Sequence, residues 1–560
     1  MPGRYYDPNR VRAALVIVIL LEPFAQALYL DADNAIGFGI KIRRSPERLR
    51  SDGIFLDAVE IGNVLEQALI EDLPSNGRDF TNLLELSAGA ANLSGGSQAA
   101  WAQHGLNSGF AEVSLNGARP ESTSFMVDGV TDTDSFFGGI ANTPSEFAVQ
   151  EVKVQTGLYS SEYGQGSGQV DVAIKSGTNS WHGQAYDFLQ NDRLNPSSPL
   201  QEDKNITNGT NYPTRTPFKQ NQFGGTLGGP VRIPFLYNGR DKTFWFVAYD
   251  GGRRSTSSGS LQTDQIPSAN ERTGNFSDWP YPIYDPTTNG TAPIVPCDPS
   301  NPNTPCNPLG RQAFGSNQIP KGRISAMGQK LLSLYPTPNT PICTQLPCQN
   351  YSIPLHNSLA TDNITMRVDQ NWREKDRLYF TGHVRREDST NPNLLPYSGS
   401  TTFTHSELFG LNWEHFFSAH TMNTARLGFN RQFFSANPDT AYGPDLQTAL
   451  GFQNAPSPPA LHGIPVISLG DQYSNIGNGS YGLSDKHSSF QYIDNLKLIR
   501  GKHTITIGAD IRRMQEYEQD NYLGIGSLSF NGGYTSSNPG DAGTIGPNSG
   551  NPVADMLLVS

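Results

Sequence analysis

The sequence predicts a membrane β-barrel preceded by a small α/β domain. The first observation is a series of segments of roughly ten residues, each with one apolar and one polar face, as a barrel wall between lipid and lumen requires. Ile364, Met366 and Val368 alternate with Thr365, Arg367 and Asp369, and Phe409, Leu411 and Trp413 alternate with Gly410, Asn412 and Glu414. The second is hydropathy. Mean hydropathy is -0.46, and beyond the N-terminus there is no apolar run of about 18 residues, which excludes a helical membrane protein but not a barrel. The third is composition: 57 Gly, 28 Phe and 22 Tyr suit turns and interfacial aromatic girdles. A soluble sandwich gives the same alternation in shorter segments. A secreted β-rich enzyme would share the composition.

The 560 residues carry 40 Lys plus Arg and 52 Asp plus Glu, a formal net charge of -12. That balance excludes a general nucleic-acid footprint.

Residues 1–27 read as an export signal. Arg4, Arg10 and Arg12 make a positive start, 13–21 is apolar, and Ala25-Gln26-Ala27 is a small-residue cleavage point. Residues 28–178 form the α/β domain. Segments 54–56 and 59–61 are candidate strands, and 64–70 has a brief helical period. Asn76-Gly77 marks a turn, and Asp79 is placed to cap a helix over 80–86. Val152 and Val154 oppose Glu151, Lys153 and Gln155, and Val170, Val172 and Ile174 oppose Gln169, Asp171 and Lys175. This period of two predicts paired half-buried strands. Gly164, Gly166 and Gly168 between them suit turns.

From 179 to 560 the alternating strands dominate, among them segments at 244–249, 364–368, 378–384, 425–429 and 505–511. They are separated by long polar insertions at 251–360 and 431–480, which suit the extracellular side of a barrel. The first insertion holds Cys297, Cys306, Cys343 and Cys348. In an oxidising compartment the simplest pairing is 297–306 and 343–348. In a reducing one they are free thiols, and their spacing does not match a zinc site.

Chemistry-bearing patterns are sparse. Asp128, Asp132 and Asp134 lie close in sequence but lack the central Gly and terminal Glu of a calcium loop. The plain reading is a solvated turn at Asp128-Gly129. The 10 histidines include no His-Glu-x-x-His. Gly224-Gly225 and Gly228-Gly229 are not followed by Lys-Ser or Lys-Thr, so they mark strand bending or close packing rather than a phosphate loop. Asp187 and Asp192 are the carboxylates a glycoside hydrolase reading would use. No catalytic residue, metal ligand or cofactor is assigned.

An ordered series of short motifs carries a resemblance. It comprises Leu73-Pro74-Ser75-Asn76-Gly77-Arg78-Asp79-Phe80, Leu115-Asn116-Gly117-Ala118-Arg119, Val127-Asp128-Gly129-Val130, Glu151-Val152-Lys153-Val154-Gln155-Thr156, Ser176-Gly177-Thr178-Asn179, Asn221 through Pro230, and Asp241-Lys242-Thr243-Phe244-Trp245-Phe246. The series continues at Glu271-Arg272-Thr273-Gly274-Asn275-Phe276-Ser277 and at Leu331-Leu332-Ser333-Leu334-Tyr335-Pro336. Over about residues 70–540 the chain resembles the TonB-dependent outer-membrane transporters, and among them the Oar-like branch found in acidobacteria. The resemblance implies that 28–178 is a plug domain, with Asn76, Gly77, Arg78, Asn116, Gly117, Arg119, Asp128 and Gly129 as structural plug motifs. It implies an outer-membrane location and outer-membrane lipid as surroundings. It also implies a TonB-like inner-membrane coupling protein as partner, and an extracellular ligand, whether carbohydrate, peptide or metal chelate.

Two departures stand out. No coupling box is identified in 28–60. Transporters of this type close at about 22 strands, whereas about nine to eleven candidates lie between 180 and 512. The expectation is therefore a partial, open, C-shaped sheet around a plug, a fragment truncated at both ends. The rival readings are a non-transporting surface receptor or adhesin-like barrel, and a polysaccharide-active enzyme.

Overall fold

The computed structural model describes residues 14–20, 27–31 and 61–559, except 74–77, 93–112, 120–121, 135–138, 158, 160–162, 164–165, 195–214, 216, 258–261, 299–305, 341–348, 454–458, 460–461, 471, 479–481, 502, 520–523 and 539–548. Asn76, Gly77, Cys343 and Cys348 lie outside the described residues, as do most of 1–60.

Two strands come first, β1 (Ala14–Leu20) and β2 (Ala27–Asp31). The plug follows. It contains β3 (Ile61–Glu66), a helix at Gln67–Asp72, a 3-10 helix at Phe80–Leu86, β4 (Ala90–Asn92), β5 (Val113–Leu115), β6 (Thr123–Val127), β7 (Val130–Thr131), β8 (Val149–Gly157) and β9 (Gly168–Ile174). Five of these make one sheet in the order β3-β8-β9-β6-β7, and β4 pairs with β5. The alternation read at 149–174 is a real hairpin: Val152, Val154, Val170 and Val172 are fully buried, and Val154 stands opposite Val170. Asp79 caps the 3-10 helix, its side chain accepting from Thr81 N. The helical period read at 64–70 resolves into strand to Glu66 and helix from Gln67.

The wall is built from β10 (His182–Asn191) and β11 (Phe218–Pro230), a small hairpin of β12 (Arg232–Ile233) and β13 (Tyr237–Asn238), and β14 (Thr243–Ser257). After β15 (Gln262–Asp264) and β16 (Tyr351–Ile353) come β17 (His356–Arg373), β18 (Asp376–Asn391), β19 (Ser400–Ser418) and β20 (Thr421–Pro438). After β21 (Val466–Leu469) come β22 (Leu483–Arg500), β23 (His503–Gln519) and the short β24 (Ser527–Phe530). The large sheet runs β2-β1-β10-β11-β14-β17-β18-β19-β20-β22-β23, antiparallel throughout. Its two ends do not pair with each other, so it is the open sheet expected. The edge of β10 is taken by β1, with Val16 opposite Phe188.

Alternation sorts each wall strand into two faces. On β17, Ile364 and Val368 are 44% and 38% exposed on the outer face, while Thr365 between them is 1% exposed on the inner face. On β19, Leu411 and Trp413 face out and Ser406, Leu408 and Asn412 face in. One rim has tight turns at 374–375 and 419–420 and the short link from β22 to β23; the other has the long connections. Trp181, Trp372, Trp413 and Phe417 stand exposed near the tight-turn rim, as an interfacial girdle would.

The long connections have a hydrophobic core of their own. Ile266, Phe276, Trp279, Ile283, Leu331, Tyr335, Ile467 and Tyr473 pack with Val553, Ala554, Met556 and Leu557. The last group sits on a helix, Pro552–Leu558, capped by Asn551, whose side chain accepts from Val553 N and Ala554 N. Cys297 and Cys306 are bonded within this region.

Candidate functional site

The seat of the plug in the wall is the site, and the Val-Asp-Gly-Val motif is its centre. Asp128 (φ 48°) and Gly129 (φ 74°) both lie in the left-handed region, where Gly is free and Asp is tolerated. With Val127 opposite Val130, they form a two-residue hairpin turn of the primed kind. This turn is not solvated. It is driven into the wall, and Asp128 is 8% exposed. Arg367 Nη1 on β17 donates to Asp128 Oδ1 at 3.0 Å, and Ile174 N on β9 donates to the same oxygen at 3.1 Å. Thr381 Oγ1 on β18 donates to Oδ2. Burial pushes the Asp128 carboxyl above its usual range, and the Arg367 guanidinium opposes that rise.

The rest of the turn is held from β19, β20 and β22. Val130 lies between Gly410 and Gly428, where a Cβ would come within 2.8 Å and 2.7 Å of its methyl groups. Arg426 Nη1 donates to the Gly129 carbonyl at 3.2 Å. Thr131 N donates to Gln491 Oε1 at 2.9 Å. Asn430 Nδ2 donates to the Thr131 carbonyl at 3.0 Å and to Asp132 Oδ1 at 3.1 Å. Asp132 also accepts from Asn142 Nδ2 at 2.7 Å. Asp134 faces His487 at 3.5 Å. The aspartates read together in the sequence therefore address different groups, and Asp128 and Asp132 are bonded to protein donors.

The other plug motifs act elsewhere. Arg78 pairs with Glu146 at 3.4 Å, and its guanidinium lies 4.2 Å over the Phe188 ring of β10. Asn116 (φ 56°) and Gly117 (φ 71°) make a left-handed turn inside the plug. Asn116 N donates to the Gly89 carbonyl at 2.7 Å, and its side chain donates to the Thr156 carbonyl. Arg119 is exposed, and its carbonyl accepts from Ser122 N and Oγ. The link from plug to wall is fastened by Ser176 Oγ to Asp369 Oδ2 at 2.6 Å and by Asp241 N to Asn179 Oδ1 at 2.7 Å. Gly224 and Gly229 pack across the sheet against Tyr186 and Trp181.

Sequence reasoning singled out Asp128 and Gly129 as a solvated turn and missed the wall residues that enclose it. Arg367, Thr381, Arg426, Asn430 and Gln491 were legible only as members of polar faces. Which polar residue meets the plug depends on strand register, a long-range property.

Two cavities flank the seat. One of about 310 Å³ lies between the plug and β20, β22 and β23, lined by Ser124, Thr133, Asn430, Gln432, His487 and Arg512 among others. The other, about 240 Å³, lies between the plug at Arg78, Thr143 and Ser145 and the wall at β11, β14, β17 and β18. Under it, Tyr186 Oη donates to Asp250 Oδ2 at 2.7 Å, and Gln222 Nε2 donates to the same carboxylate at 3.3 Å. Among the described residues no group of three or more His, Cys, Asp or Glu is placed to hold a metal ion.

Comparison with known proteins follows the same lines. The family model described as outer membrane beta barrel domain matches residues 173–558. The TonB-dependent transporter Oar of Myxococcus xanthus is 30% identical over 176 residues, which are 31% of this chain and 14% of that protein. Among solved structures, the outer membrane transporter YddB from Escherichia coli aligns at a TM-score of 0.48 and 11% identity, over 82% of this chain and 48% of that one. The ferric enterobactin receptor PfeA from Pseudomonas aeruginosa aligns at a TM-score of 0.41 and 13% identity, over 81% of this chain and 49% of that one. The chain thus spans about half the length of these structures and a smaller share of the curated relative. A buried plug, a wall with lipid and lumen faces and a family match over most of the chain agree: the chain belongs to the outer-membrane β-barrel family.

Proposed function

We propose that the chain is the plug and the leading part of the wall of an Oar-like transporter. Most of 28–178 would form the plug and 179–560 the wall, whose sheet β1 and β2 extend at the edge of β10. The long-loop rim faces outward, because barrel loops are long outside and short on the periplasmic side. Ligand enters from that rim, and a TonB-like inner-membrane protein pulls on the plug to open a path. The observation that carries this reading is the seat itself. The plug is a folded domain whose central hold in the wall is one short turn with a buried ion pair and a glycine-lined socket, beside side-chain contacts such as Arg78 over Phe188 and Ser176 to Asp369. Such a joint can be released without unfolding the wall.

The test is a tether. A Cβ on Gly410 would stand 4.0 Å from the Val130 Cβ, which suits a disulfide. In the complete transporter, Val130→Cys with Gly410→Cys should stop uptake when oxidised and restore it on reduction, with ligand binding unchanged. Uptake at the normal rate with the tether closed would overturn the reading. A receptor without transport is the second reading, favoured by the hydrophobic core that orders the long connections. It predicts uptake indifferent to loss of the coupling protein.

A further inference from the structure

The 240 Å³ cavity beside the plug has a chemistry that selects among ligand classes. Its lining comes from adjacent wall strands, β11, β14, β17 and β18, and from the plug, so it stands away from the free edge at β23. Arg254, three residues from the end of β14, places it toward the long-loop rim.

Among the described residues, four polar atoms around this one cavity are buried without a protein hydrogen-bond partner: Thr143 Oγ1, Asn363 Oδ1, Arg385 Nε and Glu387 Oε1. Glu387 is 3% exposed and Thr143 is 7% exposed. Glu387 is anchored through its other oxygen, which accepts from Arg385 Nη2 at 2.7 Å, and this leaves Oε1 as an open acceptor and Arg385 Nε as an open donor. Buried polar atoms are normally satisfied, and one left open is costly. A convergent set of them marks a place where a ligand completes the bonding.

The set also rules out classes. Arg78, Arg253, Arg254 and Arg385 line the cavity and oppose a cationic group. Asp79, Asp250 and Glu387 line it too and oppose a phosphate, a carboxylate or an anionic chelate. A hydrophobic ligand would leave all four atoms open. What remains is a neutral group that donates and accepts at once, which is a hydroxyl, and several of them close together.

We infer that this cavity is a subsite for a neutral, polyhydroxylated ligand, one saccharide unit of a larger glycan, held by Thr143 of the plug and Asn363, Arg385 and Glu387 of the wall. The inference rests on the transport reading only for the ligand's route to the site. Because plug and wall both contribute, plug movement would break the subsite and release what it holds.

The experiment uses the full chain in detergent micelles, immobilised, and four probes. These are the neutral and the acidic oligosaccharide pools of a mixed plant and bacterial polysaccharide hydrolysate, a ferric catecholate chelate and a tryptic peptide mixture. The neutral pool should be retained, and periodate oxidation of that pool should abolish retention. Asn363→Leu should weaken retention about tenfold, the loss of one hydrogen bond to a buried partner, at unchanged melting temperature, and Glu387→Gln, which also removes the charge opposite Arg385, should weaken it at least as much. Retention of the acidic pool, the chelate or the peptides in place of the neutral pool would overturn the inference. So would retention of no pool, a cavity holding solvent only, or neutral retention that neither variant touches. Binding of the neutral pool by a transporter that shows no energised uptake would overturn the transport reading and leave this one standing.

Discussion

Replacing Asp128 with Asn should loosen the plug without misfolding it. Asn is at least as comfortable as Asp at φ 48°, and it is nearly the same size, so the hairpin turn survives. What changes is the charge opposite Arg367. The carboxylate accepts bonds from Arg367, Thr381 and Ile174, and removing one partner of a buried pair costs about 3–5 kcal/mol. Two features lower that figure. Arg367 keeps Asp369 at 3.0 Å, and the burial that pushes the Asp128 carboxyl up shows that its charge is held at a desolvation cost which Asn avoids. The expected loss is therefore about 2 kcal/mol. The assay is a urea titration of the chain in micelles, read by protease cleavage of the plug. With a slope near 2 kcal/mol/M, the midpoint should fall by about 1 M. Arg367→Met alone should cost a similar amount, and the double variant should show a coupling of about 1.5 kcal/mol. A coupling below about 0.5 kcal/mol would refute the claim that this pair seats the plug.

Three further outcomes are expected. Gly410→Ala and Gly428→Ala place a methyl within 2.8 Å and 2.7 Å of Val130, and each should destabilise plug seating by about 1–3 kcal/mol, measured by the same titration; Val130→Ala should rescue both. Cys297→Ser opens the bridge to Cys306 and should cost about 2–3 kcal/mol of local order, seen as faster amide exchange in 291–313 with β17–β20 unchanged; mass mapping of the non-reduced chain should also find 343 joined to 348. Burial raises the Asp555 carboxyl to about 6 from 3.8, so between those values the folded region holds a proton that the unfolded chain has released. Stability of the Pro552–Leu558 helix should then fall as pH rises through that window, by up to about 3 kcal/mol, and level off above it. Asp555→Asn should flatten the profile, as amide exchange in that helix would report.

The sequence by itself determined the class of the fold and which face of each strand meets lipid. The information is local: a period of two assigns sides residue by residue, so Ile364 and Val368 could be placed outward and Thr365 inward before any partner was known. Turn chemistry is equally local, which is why Asp128-Gly129 was legible as a turn. Burial of the Asp128 turn was not legible, because an Asp-Gly pair reads the same in water as in a socket. Its partners Arg367 and Thr381 stand 239 and 253 residues away, brought near by the pairing of the wall strands in register. The connections that looked like polar loops show the same limit. Ile266, Phe276, Trp279, Ile467 and Met556 are too widely spaced for any window to show a pattern, yet they share one core. Tertiary structure alone decided that core, and it placed Val553–Leu557 at its centre. It also brought Thr143, Asn363, Arg385 and Glu387 around one cavity. A hydrogen-bonding vacancy belongs to a place in space and to no stretch of chain, because it exists only once burial has removed water from groups that sequence keeps far apart.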